Sequence, residues 1–196
     1  MENTGIKEAV AMILFINACV RKQSRTFRLA RRLLSRLDGE VVEVRPHEIA
    51  FPVADEAFLE KRDRLLAASE YGDPMFDLAR QFAAADEIVI AAPYWDLSFP
   101  AALKQYFELI NVVGVTFRYS PEGIPQGLCR AKRLFYVTTA GGPILSDALG
   151  YGYVEALAQG YYHIPDVRFV KAVGLDIVGA DVEAILRAAE AEIDML

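Results

Sequence analysis

Five short apolar runs, each followed by a polar turn and, for most, a stretch of helical periodicity, constrain this chain more than any other feature. The runs near residues 10–16, 40–45, 87–92, 133–139 and 167–172 read as strands. Helical spacing covers 24–37, 57–85 with a break at Gly72-Asp73-Pro74, 100–112 and 146–159, and Asp181 caps a closing helix. In the first helix Phe27, Ala30, Leu33, Leu34 and Leu37 share one face while arginines fill the rest. The run 9–20, A-V-A-M-I-L-F-I-N-A-C-V, is apolar at nearly every position, as a strand covered on both faces requires. Strands alternating with helices imply a parallel sheet clad on both sides, because right-handed crossovers are nearly obligatory.

Composition narrows the function classes. At 196 residues the chain is expected to form one domain, 1–196, with a substantial core, and 54% apolar residues exclude disorder. A net charge of −6 argues against a nucleic-acid partner. Cys19 and Cys129 form no framework and have no metal-type spacing, and His47 and His163 stand alone, so no metal is expected. The run 9–20 is too short to span a bilayer, which needs ~20 residues. Its flank, M-E-N-T-G-I-K-E, is mixed in charge and no A-x-A cleavage site follows, so neither a membrane partner nor export is expected. A reducing cytoplasm fits the cysteine usage.

Three loops at one edge of such a sheet carry the chemistry, since ligands of open α/β sheets bind beyond the carboxyl ends of strands. After the first strand, N-A-C-V-R-K-Q-S-R-T places Ser24, Arg25 and Thr26 where a helix begins. Unpaired N–H groups, hydroxyls and the basic Arg21, Lys22 and Arg25 suit a phosphate there, although plain N-capping by Ser24 with solvated basic residues also explains the loop. After the third strand, P-Y-W-D-L offers two large aromatics and a carboxylate to a flat, polar-edged ligand such as a flavin. After the fourth, T-T-A-G-G-P gives paired glycines that permit positive φ, close backbone approach to a ligand, or simply a tight turn. No G-x-x-x-x-G-K-[ST] is present, and Gly150-Tyr-Gly152 fails as a dinucleotide fingerprint because Glu155 stands at its third position.

The chain resembles the FMN-dependent NADH-azoreductases, within the flavodoxin-like NAD(P)H quinone reductases. The most specific stretches are L-K-Q-Y-F-E-L at 103–109 and G-V-T-F-R-Y at 114–119. Similar too are Ser24 to Thr26, Pro93 to Leu97, Thr139 to Gly142 and the segment from Ile164 to Phe169. The resemblance implies an α/β, flavodoxin-like, doubly wound five-stranded parallel sheet of order 2-1-3-4-5. It implies FMN, with NADH or NADPH as co-substrate, in two-electron ping-pong reduction of a quinone, azo or nitro compound through flavin N5. Ser24, Arg25 and Thr26 would hold the phosphate, and Pro93, Tyr94, Trp95, Asp96 and Leu97 would border the isoalloxazine. Thr139, Gly141 and Gly142 would meet its polar edge, while Tyr119 and Tyr161 would line the acceptor side. The site would sit at a homodimer interface.

The chain departs from that pattern at Ala18, where the family has a serine, at Asp96 and Leu97, where it has Asn and Phe, and at Ala140, often an arginine. A carboxylate at Asp96 near the flavin N1–O2 edge is expected to lower the reduction potential. Most of the chemistry is borne by the flavin, so no side chain is singled out as a general acid. Two other readings stay open: a flavodoxin-like carrier or non-catalytic flavin-binding regulator, and an NAD(P)H:flavin or ferric reductase.

Overall fold

The computed structural model describes residues 10–196. Ala9 and the mixed-charge flank 1–8 lie outside the described residues. Strand β1 (Met12–Asn17) belongs to a five-stranded sheet with β2 (Glu40–Val44), β3 (Glu87–Ala91), β6 (Arg133–Thr139) and β7 (Asp166–Ala172), β3 lying at its centre. Its order is β2-β1-β3-β6-β7 and every pairing is parallel, the 2-1-3-4-5 arrangement of the five main strands.

The side-chain alternation of the strands sorts the core into two layers. Leu14, Ile16, Ile88, Ile90, Leu134 and Tyr136 face α2 (Glu56–Ala67), α3 (Asp77–Ala84), α4 (Ala101–Ile110) and α5 (Tyr151–Leu157). Ile13, Phe15, Val89, Ala91, Phe135 and Val137 face α1 (Arg25–Leu34) and α6 (Val182–Ile193). Both faces of the strand interiors are therefore apolar, and the middles of the strands read as continuous hydrophobic runs. Across α1 and α6, Arg28 meets Glu190 and Glu183, each at 2.8 Å, and Arg32 meets Asp194 at 2.5 Å.

Two elements escape the strand and helix periodicities. A short antiparallel hairpin, β4 (Phe117–Tyr119) with β5 (Pro125–Gly127), occupies the insertion between α4 and β6. The helix expected over 146–159 is instead a 3₁₀ turn at Asp147–Leu149, then α5, then a π-helical turn Ala158–Tyr162 closed by His163 at φ 54°. Gly127 of the hairpin rests against that π turn: a Cβ there would lie 2.2 Å from the carbonyl carbon and oxygen of Tyr162. Among the described residues, no helix is long and apolar enough to cross a membrane.

Candidate functional site

The carboxyl ends of β1, β3, β6 and β7 open onto one cleft of about 320 Å³. The loop after β1 begins with a local turn in which Asn17 Oδ1 accepts from the Cys19 N–H at 3.0 Å. Ser24 then caps α1, its Oγ accepting from the Phe27 N–H at 3.2 Å. The Arg25 and Thr26 amides precede the first intrahelical donor, so they point out of the helix with the positive end of its dipole. Thr26 is buried, and its Oγ1 lies 2.6 Å from Thr139 Oγ1, joining the start of α1 to the end of β6. Burial pushes the Cys19 thiol up to about 11, against a smaller opposing hydrogen bond with Ser24, so it stands protonated at neutral pH.

The loop after β3 is fixed by the Tyr94 N–H donating to Thr139 O at 3.0 Å. The Tyr94 hydroxyl is buried without a hydrogen-bond partner. Trp95 and Ser98 exchange two backbone bonds, 3.0 and 2.8 Å, closing a two-residue turn in which Asp96 has φ 48° and Leu97 φ 70°. Turns of this kind favour Asn and Gly, because an L side chain in the left-handed region crowds the backbone. Such strain collects where a ligand site constrains the chain. Trp95 and Leu97 stay 41% and 45% exposed, far more than apolar residues of the core.

Neither Gly141 nor Gly142 adopts positive φ, so close approach rather than backbone freedom explains the first. A Cβ on Gly141 would lie 2.3 Å from Asp176 Oδ2, whereas one on Gly142 would meet nothing within 4 Å. The loop after β7 is bonded to this turn: Leu175 N–H to Ala140 O at 3.2 Å and Asp176 N–H to Gly141 O at 2.9 Å. Arg25 Nη1 donates to Asp176 Oδ1 at 2.7 Å and to Leu175 O at 3.4 Å.

Of the residues picked out in the sequence, Ser24, Arg25, Thr26, Pro93, Tyr94, Trp95, Thr139 and Gly141 line the cleft together. Asp96, Leu97 and Gly142 sit beside its lining rather than in it. Tyr119 and Tyr161 belong to a separate aromatic group, Tyr161 stacking on Phe117 at 4.5 Å and Tyr119 meeting it edge-on at 5.4 Å. The Tyr119 phenol is held above its usual range chiefly by its hydrogen bond with Tyr161. Arg21, read in the sequence as a basic residue of the phosphate loop, also lines the cleft, whereas sequence reasoning missed Cys19, Gln23, Leu175 and Asp176. The fourth loop was signalled by Gly174 and Gly179 just beyond β7, both at positive φ. A larger groove of about 700 Å³ runs along α1 and α6 but reaches none of the turns after β3 and β6. Among the described residues no group of His, Cys, Asp and Glu is arranged to hold a metal ion.

The sequence profile of the flavodoxin-like fold family matches residues 11–196. An FMN-dependent NADH:quinone oxidoreductase of Lachnoclostridium phytofermentans is 32% identical over 89% of this chain and 92% of that protein. One from Coprothermobacter proteolyticus is 31% identical over 95% and 98%. FMN-dependent NADH:quinone oxidoreductase 2 of Clostridium acetobutylicum is 45% identical over 114 residues, 56% of each chain. In fold, the chain is similar to an azoreductase from Bacillus anthracis, with a TM-score of 0.79 at 23% identity, covering 94% of this chain and 97% of that one. A second Bacillus anthracis structure, an FMN-dependent NADH-azoreductase in complex with FMN, gives 0.77 at 20% identity over 94% and 96%. The chain belongs to the flavodoxin-like fold family, among the FMN-dependent NADH:quinone oxidoreductases.

Proposed function

We propose that this cleft holds FMN and that the chain, as a homodimer, reduces quinones or azo compounds at the expense of NADH or NADPH. The observation that carries the reading is that Ser24, Trp95 and Gly141, from three different crossover turns, line one cleft of about 320 Å³. That volume falls in the range of small-molecule sites, roughly 300–1,000 Å³.

The lining fits the parts of a flavin mononucleotide. The outward amides of Arg25 and Thr26, with the Ser24 and Thr26 hydroxyls, suit the phosphate at the head of α1. Tyr94 supplies a buried hydroxyl without an internal partner, suited to a polar ring edge. Trp95 supplies an exposed indole, and the Gly141 turn closes the side of the cleft next to Asp176. Bound there, FMN supplies the two-electron transfer between nicotinamide and acceptor. The protein's part is to orient and to exclude water. Cys19 is held protonated, which keeps a thiolate out of the site.

Association into a homodimer is supported by apolar residues around the rim. In the turn after β3 Trp95 is 41% and Leu97 45% exposed, and directly after Asp176 in the chain Ile177 is 57% and Val178 fully exposed. Clustered exposure of this kind marks association surfaces. Two free cysteines support a reducing compartment.

The test is anaerobic. Purified protein incubated with FMN and desalted should be yellow, bleach with NADH or NADPH and recolour with a quinone or an azo dye. Colourless protein refutes the reading, and yellow protein that neither nicotinamide bleaches makes it a carrier. Sedimentation velocity checks the dimer.

A further inference from the structure

We propose that Asp176 competes with the ligand's phosphate for the Arg25 guanidinium, and so sets how strongly the cleft prefers a phosphorylated flavin to its unphosphorylated parent. This rests on the FMN reading of the cleft and concerns a residue that reading does not use.

The geometry singles out Asp176. Its backbone is tied to the Gly141 turn through its own N–H at 2.9 Å, with the Gly174 N–H on Gly142 O at 3.2 Å beside it. The carboxylate is thus carried over Gly141, where only the absence of a Cβ leaves room for Oδ2. From there Oδ1 takes Arg25 Nη1 at 2.7 Å, and the same nitrogen reaches Leu175 O at 3.4 Å. Arg25 is the first residue of α1, so its side chain springs from the point where a phosphate meets the outward amides. With Nη1 committed to the loop after β7, the end-on Nη1–Nη2 fork cannot close on an anion unless Arg25 leaves Asp176, which keeps only the Nε–Nη2 edge free.

The charges around the cleft sharpen this. Its lining contains two cations, Arg21 and Arg25, and one anion, Asp176. A phosphomonoester near neutral pH brings close to two negative charges, which repel the carboxylate as they attract the guanidinium. The pair does little for the fold: the two side chains are 42% and 69% exposed, and pairs so exposed contribute little to stability. A carboxylate with a weak structural role, facing an anion site and holding its arginine, acts on the ligand.

The experiment is a fluorescence-quenching titration of apoprotein with FMN and with riboflavin, for wild type, Asp176→Asn, Arg25→Gln and the double variant. Asp176→Asn should bind FMN about tenfold more tightly, with riboflavin changed less than twofold. Arg25→Gln should weaken FMN, and in that background the gain from Asp176→Asn should shrink below threefold. Circular dichroism checks that each variant is folded. FMN affinity that is unchanged or weaker in Asp176→Asn overturns the inference, as does a gain that riboflavin shares or that persists undiminished in the Arg25→Gln background. Wild-type protein that fails to bind FMN refutes instead the function proposed for the cleft, and this inference with it.

Discussion

Replacing Gly127 by alanine should unfold this protein far below its normal transition temperature. The added Cβ would sit 2.2 Å from both the carbonyl carbon and oxygen of Tyr162 and 2.6 Å from the His163 nitrogen, where ordinary contact begins at 3.4 Å. The clash of about 1 Å is with backbone atoms only, so no side-chain rotation relieves it. The hairpin β4–β5 must lift from the π turn, straining the Leu128 N–H bond to Thr116 O at 2.9 Å and the Phe117–Tyr161 stack. Overpacking of this kind costs roughly 1–3 kcal/mol, and the rigid partners put it near ~3 kcal/mol. For a domain of this size each kcal/mol moves the transition by ~2–4 °C, so Tm should fall by roughly 6–12 °C. Differential scanning calorimetry reads this directly. Gly160, in the same π turn, is the internal control, because a Cβ there would meet nothing within 4 Å. Gly160→Ala should stabilise by about 0.5–1 kcal/mol through the loss of unfolded-state freedom. A drop below ~2 °C for Gly127→Ala would refute the reasoning, since it would mean that the hairpin and the π turn are not in hard contact.

Other outcomes are expected at the cleft and in the core. Tyr94→Phe removes a buried hydroxyl that has no internal partner, so it should raise stability by about 1 kcal/mol in chemical denaturation while weakening FMN roughly fivefold. Ser24→Ala loses the cap on the Phe27 N–H and should cost about 1 kcal/mol, with FMN weakened more than riboflavin because only FMN has the phosphate. Potentiometry of Asp96→Asn should show the bound flavin shifted to a higher potential, and an unmoved midpoint would remove the charge argument for this exposed turn residue. Burial pushes the thiols of Cys19 and Cys129 up to about 11 and about 12. Groups raised in the folded state stabilise fully below their unfolded value near 9 and lose that contribution as pH rises through the folded values. Between pH 9 and 10 wild type should therefore lose up to roughly 2 kcal/mol more than the Cys19→Ala, Cys129→Ala double variant, as measured by urea unfolding.

The alternation of apolar runs with amphipathic stretches by itself determined the parallel sheet, its five main strands and the two helical layers. These are local patterns: Ile13 and Leu14 must face opposite sides of a strand, and both faces are apolar, so helices must cover both. The same locality made the three loops legible as a site, because Ser24, Trp95 and Gly141 each follow a strand at the end where such sheets bind ligands. The hairpin β4–β5 was not legible, since three-residue strands such as Pro125–Gly127 carry no readable alternation. Nor was the π turn, whose first residues Ala158 and Gln159 read as the end of an ordinary helix until the backbone of Tyr162 is set against Gly127. Tertiary structure alone decided which side chains meet: Thr26 on Thr139, 113 residues apart, and Arg25 on Asp176, 151 apart. It also grouped Tyr119 and Tyr161 with Phe117 and brought Asp176 into the lining of the cleft. Such contacts depend on how loops from distant strands are tied together by backbone hydrogen bonds, and no residue's own propensity or neighbours along the chain record that.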